Sequence, residues 1–363
     1  MSFEDKIKEI EEEIRKTPYN KATQHHIGKL KAKLARLRED QQKRGTKSKG
    51  KLGYSLKKSG DATVALVGFP SVGKSTLLNM ITNADSETGV YDFTTVNVIP
   101  GVMEYKGAKF QVVDVPGLIR GASEGRGRGR EVLSVVRSAD LIIMLIDVFN
   151  LQQLDVIKNE LYNAGLRLDQ GPPHVLIKKR DSGGIEINST VNLSLDEGTI
   201  KAVLNEYRIH NADVVVREDI TVDQIIDVAL GNRVYIPALV VLNKIDLVKE
   251  DYLEEVSKKT KDFVSISAEE GYNIERLKEA IFNKLDFIRI YMKPQGKEAD
   301  LEEPLVVLKG SRVREVCNRL HKDFEKKFRF ARVWGRSAKF EGQKVGINHG
   351  LEDSDILSII TEK

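Results

Sequence analysis

Residues 68–75 read Gly68-Phe69-Pro70-Ser71-Val72-Gly73-Lys74-Ser75, and they stand between a strand-like run and a helix-like one. The run before them, 62–68, is Ala-Thr-Val-Ala-Leu-Val-Gly, uncharged and β-branched, as a buried parallel strand requires. The run after them, 74–83, suits a helix. A glycine-rich turn between a strand and a helix N-terminus gathers backbone N–H groups at the positive end of the helix, and that arrangement holds phosphate. Gly68 and Gly73 let the backbone approach with no Cβ in the way. The N–H groups of Ser71, Val72, Gly73, Lys74 and Ser75 can point inward, with Thr76 closing the segment. Lys74 is expected to reach the terminal phosphates, and the Ser75 hydroxyl to ligate Mg2+.

A second motif, Asp114-Val115-Pro116-Gly117, follows a strand-like run at 108–113. A carboxylate at the C-terminal edge of a strand faces the ligand side of a doubly wound sheet, so Asp114 is expected at the magnesium. The Gly117 N–H is placed to sense the last phosphate and to release the following loop when that phosphate is lost. That loop, 118–130, is rich in Gly and Arg. A first switch should precede the strand at 97–105. There Tyr91-Asp92-Phe93-Thr94-Thr95 offers two hydroxyls, and the spacing does not choose between them.

The third motif is Asn243-Lys244-Ile245-Asp246, at the end of an apolar run. A carboxylate at Asp246 accepts from guanine N1–H and the 2-amino group together. Adenine offers neither donor and leaves that carboxylate unpaired, which discriminates strongly. Asn243 is expected at the other base edge, the Lys244 stem over the ring, and the N–H groups of the loop at Ser267-Ala268 against guanine O6. In order on one chain, the three motifs specify binding of GTP and GDP with Mg2+, and hydrolysis.

The fold class expected is α/β: a doubly wound, mostly parallel sheet of a P-loop GTPase. Candidate strands at 62–68, 97–105, 108–113, 141–147, 238–242 and 263–267 alternate with candidate helices at 74–83, 129–138, 151–164, 250–259 and 273–285. The connection 168–236 is too long for a loop and reads as an inserted α+β subdomain. Residues 1–60 read as a basic helical hairpin and linker, with Ile7, Ile10 and Ile14 striping one helix and Ile27, Leu30, Leu34 and Leu37 the other. Residues 61–286 form the nucleotide domain. Residues 287–363 read as a β-grasp domain with one helix at 311–324, and its Arg312, Arg314, Arg319, Lys326, Lys327 and Arg329 as an anion-binding face.

Charge is unevenly spread. Residues 1–60 hold 17 Lys and Arg against 8 Asp and Glu; residues 61–286 hold 25 against 34; residues 287–363 hold 16 against 12. Basic ends around an acidic middle point to a large polyanionic partner. The single cysteine, Cys317, excludes an intrachain disulfide and reads as a buried small hydrophobe. No apolar run reaches the ~18 residues of a membrane helix, and the N-terminus has no apolar secretory core. A cytoplasmic protein with no membrane partner is expected.

With these residues in hand, the chain resembles the Obg-like GTPases, and within them the developmentally regulated GTP-binding (DRG) family. The resemblance rests on 68–76, on Tyr91–Thr95, on Asp114–Ile119, and on the Gly/Arg run at 121–130. It spans the whole chain. It implies a helical N-terminal region, a ribosomal-S5-domain-2-like insertion, a C-terminal TGS domain, Thr95 as the Mg2+-binding switch residue, and association with ribosomes or ribosomal RNA. Ras-like enzymes place a water-positioning Gln after Asp-x-x-Gly; here Leu118 stands there, as the family pattern implies. Intrinsic hydrolysis should therefore be slow. The missing group comes from Arg120, Arg126, Arg128 or Arg130, from a monovalent cation such as K+ near Ser71, or from a regulatory protein or RNA partner. Lys74, Thr95 and Gly117 are the expected catalytic set. A small-molecule kinase would need no guanine reader. The alternative kept is an RNA- or ribosome-binding scaffold in which nucleotide is mainly structural.

Overall fold

The computed structural model describes residues 3–44, 60–82, 99–115, 129–259 and 262–362. Two helices open the chain, α1 (Phe3–Lys16) and α2 (Gln24–Arg44). An alternation follows: β1 (Ala62–Val67), α3 (Lys74–Ile81), β2 (Ile99–Tyr105), β3 (Ala108–Asp114), α4 (Gly129–Ser138), β4 (Leu141–Asp147) and α5 (Gln153–Asn163). The next stretch holds β5 (Leu166–Leu168), β6 (Val175–Lys179), β7 (Ile185–Ser189), α6 (Glu197–Glu206), β8 (Ala212–Val216), α7 (Val222–Leu230) and β9 (Val234–Ile236). The alternation resumes with β10 (Ala238–Asn243), α8 (Glu250–Lys259), β11 (Phe263–Ser265) and α9 (Ile274–Lys284). The C-terminal part comprises β12 (Phe287–Met292), β13 (Leu305–Leu308), α10 (Val313–Leu320), α11 (Lys322–Lys326), β14 (Phe328–Trp334), β15 (Gln343–Val345) and β16 (Asp355–Thr361).

These elements form two compact units. One comprises the described residues within 1–54, 119–137 and 158–236; the other comprises those within 55–118, 138–157 and 237–363. In the second, six strands make a sheet in the order β11-β10-β4-β1-β3-β2. All neighbours are parallel except the edge pair β2–β3. β1 and β4 are buried along nearly their whole length, which is why both read as continuous apolar runs. Leu66, Leu77, Phe110, Leu141 and Ile143 lie in the core against α3 and α9. After β1 the chain builds β2 and β3 on one side, then β4, β10 and β11 on the other. β1 therefore marks the topological switch point, where ligands bind beyond the strands' C-terminal ends.

The same unit carries a five-stranded mixed sheet, β13-β12-β16-β14-β15. α10 packs on it through Val313, Val316 and Cys317 against Ile290, Ala331, Val333 and Leu357, the β-grasp arrangement expected. Cys317 is fully buried, and burial pushes its thiol up to about 11. The helix read as 311–324 is two helices, because His321 is extended (φ −168°) and its ring nitrogen caps α11 by accepting from the Asp323 N–H.

In the first unit, β6-β8-β7 form a three-stranded sheet covered by α6 and α7, and β5 pairs with β9. α2 completes this core through Ala32. Gly28 lets α2 come close, since a Cβ there would stand 2.8 Å from the Thr199 methyl. Arg167 is buried and holds Asp227 bidentately, with both contacts at 2.6 Å. Its guanidinium lies 3.7 Å from the centre of the Tyr162 ring. Among the described residues no helix is long and apolar enough to cross a membrane.

Candidate functional site

The phosphate loop closes on itself at the C-terminal end of β1. Ser71 and Gly73 both take left-handed backbone angles (φ 61° and 95°). Alternating the backbone in this way turns successive N–H groups into a concave nest. Gly73 is required twice over, because a Cβ there would also stand 2.3 Å from the Asn243 amide nitrogen. The Lys74 ammonium donates to the carbonyls of Gly68 at 3.1 Å and Phe69 at 3.0 Å. Burial pushes this ammonium below its ordinary value, opposed by the nearby Asp114 carboxylate.

Asp114 ends β3, one strand from β1, and is nearly buried. The Ser75 hydroxyl lies 3.1 Å from its Oδ2. Its Oδ1 is buried and has no hydrogen-bond partner among the described residues. Thr94, Thr95, Gly117, Leu118, Arg120, Arg126 and Arg128 lie outside the described residues. Arg130 falls in α4.

A cavity of about 510 Å³ joins the two ends of the site. Ser71, Gly73, Lys74, Ser75 and Thr76 line one end, and Lys244, Asp246, Ser267 and Ala268 the other. Asp246 is exposed to it, in the 3-10 turn Ile245–Leu247, whose N-cap Lys244 is left-handed at φ 68°. The Lys244 ammonium is fixed at 2.8 Å from Asp147, the last residue of β4.

At the base end two of the expected residues also make contacts within the protein. Asn243 lines the cavity, but most of its side chain is turned into the protein. It is 3% exposed; its amide donates to the Val72 carbonyl at 2.9 Å, and its Oδ1 accepts from the Ala268 N–H at 2.9 Å. It therefore braces the phosphate loop against the base loop. The Ser267 and Ala268 N–H groups, expected against guanine O6, are both used internally, Ser267 donating to the Tyr272 carbonyl. The Ser267 hydroxyl accepts from the Glu270 N–H, holding the same loop. Leu247 and Glu269 also line the cavity. Asp147, Leu247 and Glu269 are additions to the residues read from motifs. Asp147 alone had a legible signal, as a carboxylate ending a buried strand.

A concave glycine-rich loop after β1, a buried carboxylate ending β3 and an exposed carboxylate after β10, set along the C-terminal ends of a mostly parallel sheet, are the arrangement of a P-loop GTPase. The family described as "50S ribosome-binding GTPase" matches residues 63–179, the C-terminal region of that domain matches 182–287, and the TGS domain matches 288–361. An uncharacterized GTP-binding protein of Methanocaldococcus jannaschii is 60% identical over 100% of this chain and 94% of its own length. Developmentally-regulated GTP-binding protein 2 of Homo sapiens is 43% identical over 99% of this chain and 100% of that protein. The YchF GTPase of Schizosaccharomyces pombe superposes with a TM-score of 0.48 at 17% identity, covering 84% of this chain and 98% of that one. The chain belongs to the developmentally regulated GTP-binding protein family, and is a GTP-binding protein of the GTPase class with a C-terminal TGS domain.

Proposed function

We propose that the chain is a Mg2+-dependent GTP switch with slow intrinsic hydrolysis that works in association with ribosomes. The observation that carries the nucleotide chemistry is the Ser75–Asp114 pair with its buried, unpartnered Oδ1. A buried carboxylate oxygen without a donor is costly, and a hard dication bound through oxygen removes that cost. Ser75 and Asp114 thus fit Mg2+, with Thr95 as the third candidate. When bound, the ion neutralises charge on the β- and γ-phosphates. Lys74 exchanges its two loop carbonyls for phosphate oxygens, and the nest of 71–75 fixes the chain of phosphates. Asp246 holds the guanine, and Lys244 covers its face. Gly117 is proposed to couple the last phosphate to the segment 118–130.

Three features support the ribosome part: the description of the matched GTPase family, the membership in the DRG family, and the basic ends of the chain. Co-sedimentation with ribosomes in GDP, GTP and a non-hydrolysable GTP analogue tests it. Retention is expected to depend on the nucleotide and to fall steeply with salt, as counterion release requires. Equal, weak retention in all three nucleotides would leave a guanine-nucleotide-binding protein with no ribosomal switch. Single-turnover hydrolysis in the same samples locates what replaces the glutamine absent at Leu118. A rise in K+ over Na+ assigns it to a monovalent cation, and a rise only with ribosomes assigns it to the partner.

A further inference from the structure

The base end of the nucleotide cavity is acidic. Among the described residues four charged side chains line the cavity: Lys74, Lys244, Asp246 and Glu269. Lys74 belongs to the phosphate end, where it donates to two loop carbonyls. The one cation at the base end is already paired, the Lys244 ammonium lying 2.8 Å from the Asp147 carboxylate. The carboxylates of Asp246 and Glu269 remain. Both are exposed, and among the described residues neither pairs with a Lys or Arg.

Glu269 is kept at the cavity by the backbone on either side of it. The parallel register of β11 on β10 sets Ser265 opposite Leu242 and brings the two strand ends together. Beyond them the Ile245 N–H donates to the Ile266 carbonyl. Before Glu269, the Ala268 N–H donates to Asn243 Oδ1 at 2.9 Å. After it, the Glu270 N–H donates to the Ser267 hydroxyl at 3.1 Å. The Glu269 side chain is solvated, but its Cα has a fixed place beside the turn that carries Asp246.

Asp246 alone accepts both donors of the guanine edge, so a second carboxylate is not needed to pair with the base. It does add negative potential. Purine bases differ in charge as well as in donor pattern. Guanine and hypoxanthine are neutral in weakly acid and weakly alkaline solution. Xanthine loses a ring proton within that range and becomes an anion. Like charges ~8 Å apart near a protein surface repel enough to change a binding constant about fivefold.

We propose that Glu269 is a specificity-determining residue whose charge keeps anionic purine bases out of the site. The inference rests on the base-reading role of Asp246 and deepens it: Asp246 selects by hydrogen-bond donors, Glu269 by charge. The ligand class it rejects is the oxidised purine nucleotide, of which xanthosine diphosphate (XDP) is the probe.

The test uses the full chain carrying Asp246→Asn, in which XDP has an amide to pair with. Glu269→Gln and Glu269→Asp are each added to that parent. Calorimetry gives affinities for GDP, XDP and inosine diphosphate at about pH 5 and about pH 8, both above the ordinary carboxylate values. The other charged groups around Glu269 are Asp246, the Lys244–Asp147 pair, Lys74 and Glu270. Apart from the Asn that replaces Asp246 throughout, they are the same in every variant compared. Glu269→Gln should raise the ratio of XDP to GDP affinity about fivefold at the higher pH and leave it unchanged at the lower. High salt should shrink that gain. Glu269→Asp keeps the charge and should keep the parent's ratio. A ratio unmoved by Glu269→Gln at both pH values overturns the inference. So does a rise of equal size at both. A loss of GDP affinity relative to inosine diphosphate, independent of pH, would assign Glu269 to a hydrogen bond with the 2-amino group and overturn it as well. The parent separates the two readings. If Asp246→Asn itself prefers GDP over XDP as strongly as wild type, the base-reading assignment fails and this inference with it. If the parent shifts toward XDP and Glu269→Gln adds nothing, only this inference fails.

Discussion

The ammonium of Lys244 is held 2.8 Å from the carboxylate of Asp147, and the two residues are set side by side by the parallel register of β10 on β4, in which Asn243 lies opposite Asp147. Asp147 is itself anchored, its Oδ1 accepting from the Phe149 N–H at 3.0 Å. The left-handed backbone at Lys244 and this ion pair together fix the direction of the lysine stem beside the cavity.

Asp147→Asn is therefore expected to weaken guanine-nucleotide binding without touching the nucleotide. The pair is partly exposed, so about 1 kcal/mol, near fivefold in affinity, is the expected size. Calorimetric titration with GDP checks it. Identical affinity in wild type and variant would show that Lys244 needs no anchor.

Asn243→Ala removes one donor and one acceptor from a buried position. It leaves the Val72 carbonyl and the Ala268 N–H without partners, at about 1–3 kcal/mol each. Both stability and affinity should fall, because the phosphate loop and the base loop lose their common brace. Thermal melting with and without GDP measures both effects. Lost affinity at unchanged melting temperature would return Asn243 to the base edge.

The Arg289 guanidinium beside Asp353 holds its carboxyl down from 3.8 to about 2. A carboxylate depressed on folding adds stability that is fully present above pH 3.8. That stability fades as the pH falls toward 2 and the folded form takes up its proton. Asp353→Asn should therefore be less stable than wild type at neutral pH, and the gap should close across that window. Urea melts of the two proteins between pH 2 and 6 follow it, the range running well above 3.8 for reference. A gap independent of pH would mean that the carboxylate's charge plays no part.

The nucleotide end of the molecule was legible because its chemistry is carried by contiguous residues. The phosphate loop, Asp114 and Asn243–Asp246 each sit where a buried strand ends, and each strand is an unbroken apolar run. What pairs those residues was less legible. Asn243 reads as a base contact from its motif, yet its partners Val72 and Ala268 come from two other loops, and only the sheet order brings them together. In the insertion, β8 supplies the central strand but is only five residues long and follows α6 after a short turn, so its Ala-Asp-Val-Val-Val carries little signal. β9 is three residues, cut from β10 by Pro237, which has no N–H to donate. Part of the basic face around α10 is paired within the protein, which the sequence does not show. Charge along the sequence does not show that Arg314 and Arg319 find Glu325 and Asp61.

Competition between GTP and XTP on Asp246→Asn asks whether this carboxylate reads the base. Asp246 is exposed in the cavity, where a carboxylate accepts two guanine donors at once. An amide there loses one of those contacts and gains a donor for the 2-oxo group of xanthine. GTP binding should weaken and the preference should shift toward XTP, with the melting temperature unchanged because the side chain is exposed. A variant that still prefers GTP as strongly as wild type would contradict the assignment of Asn243-Lys244-Ile245-Asp246 as the base-reading segment.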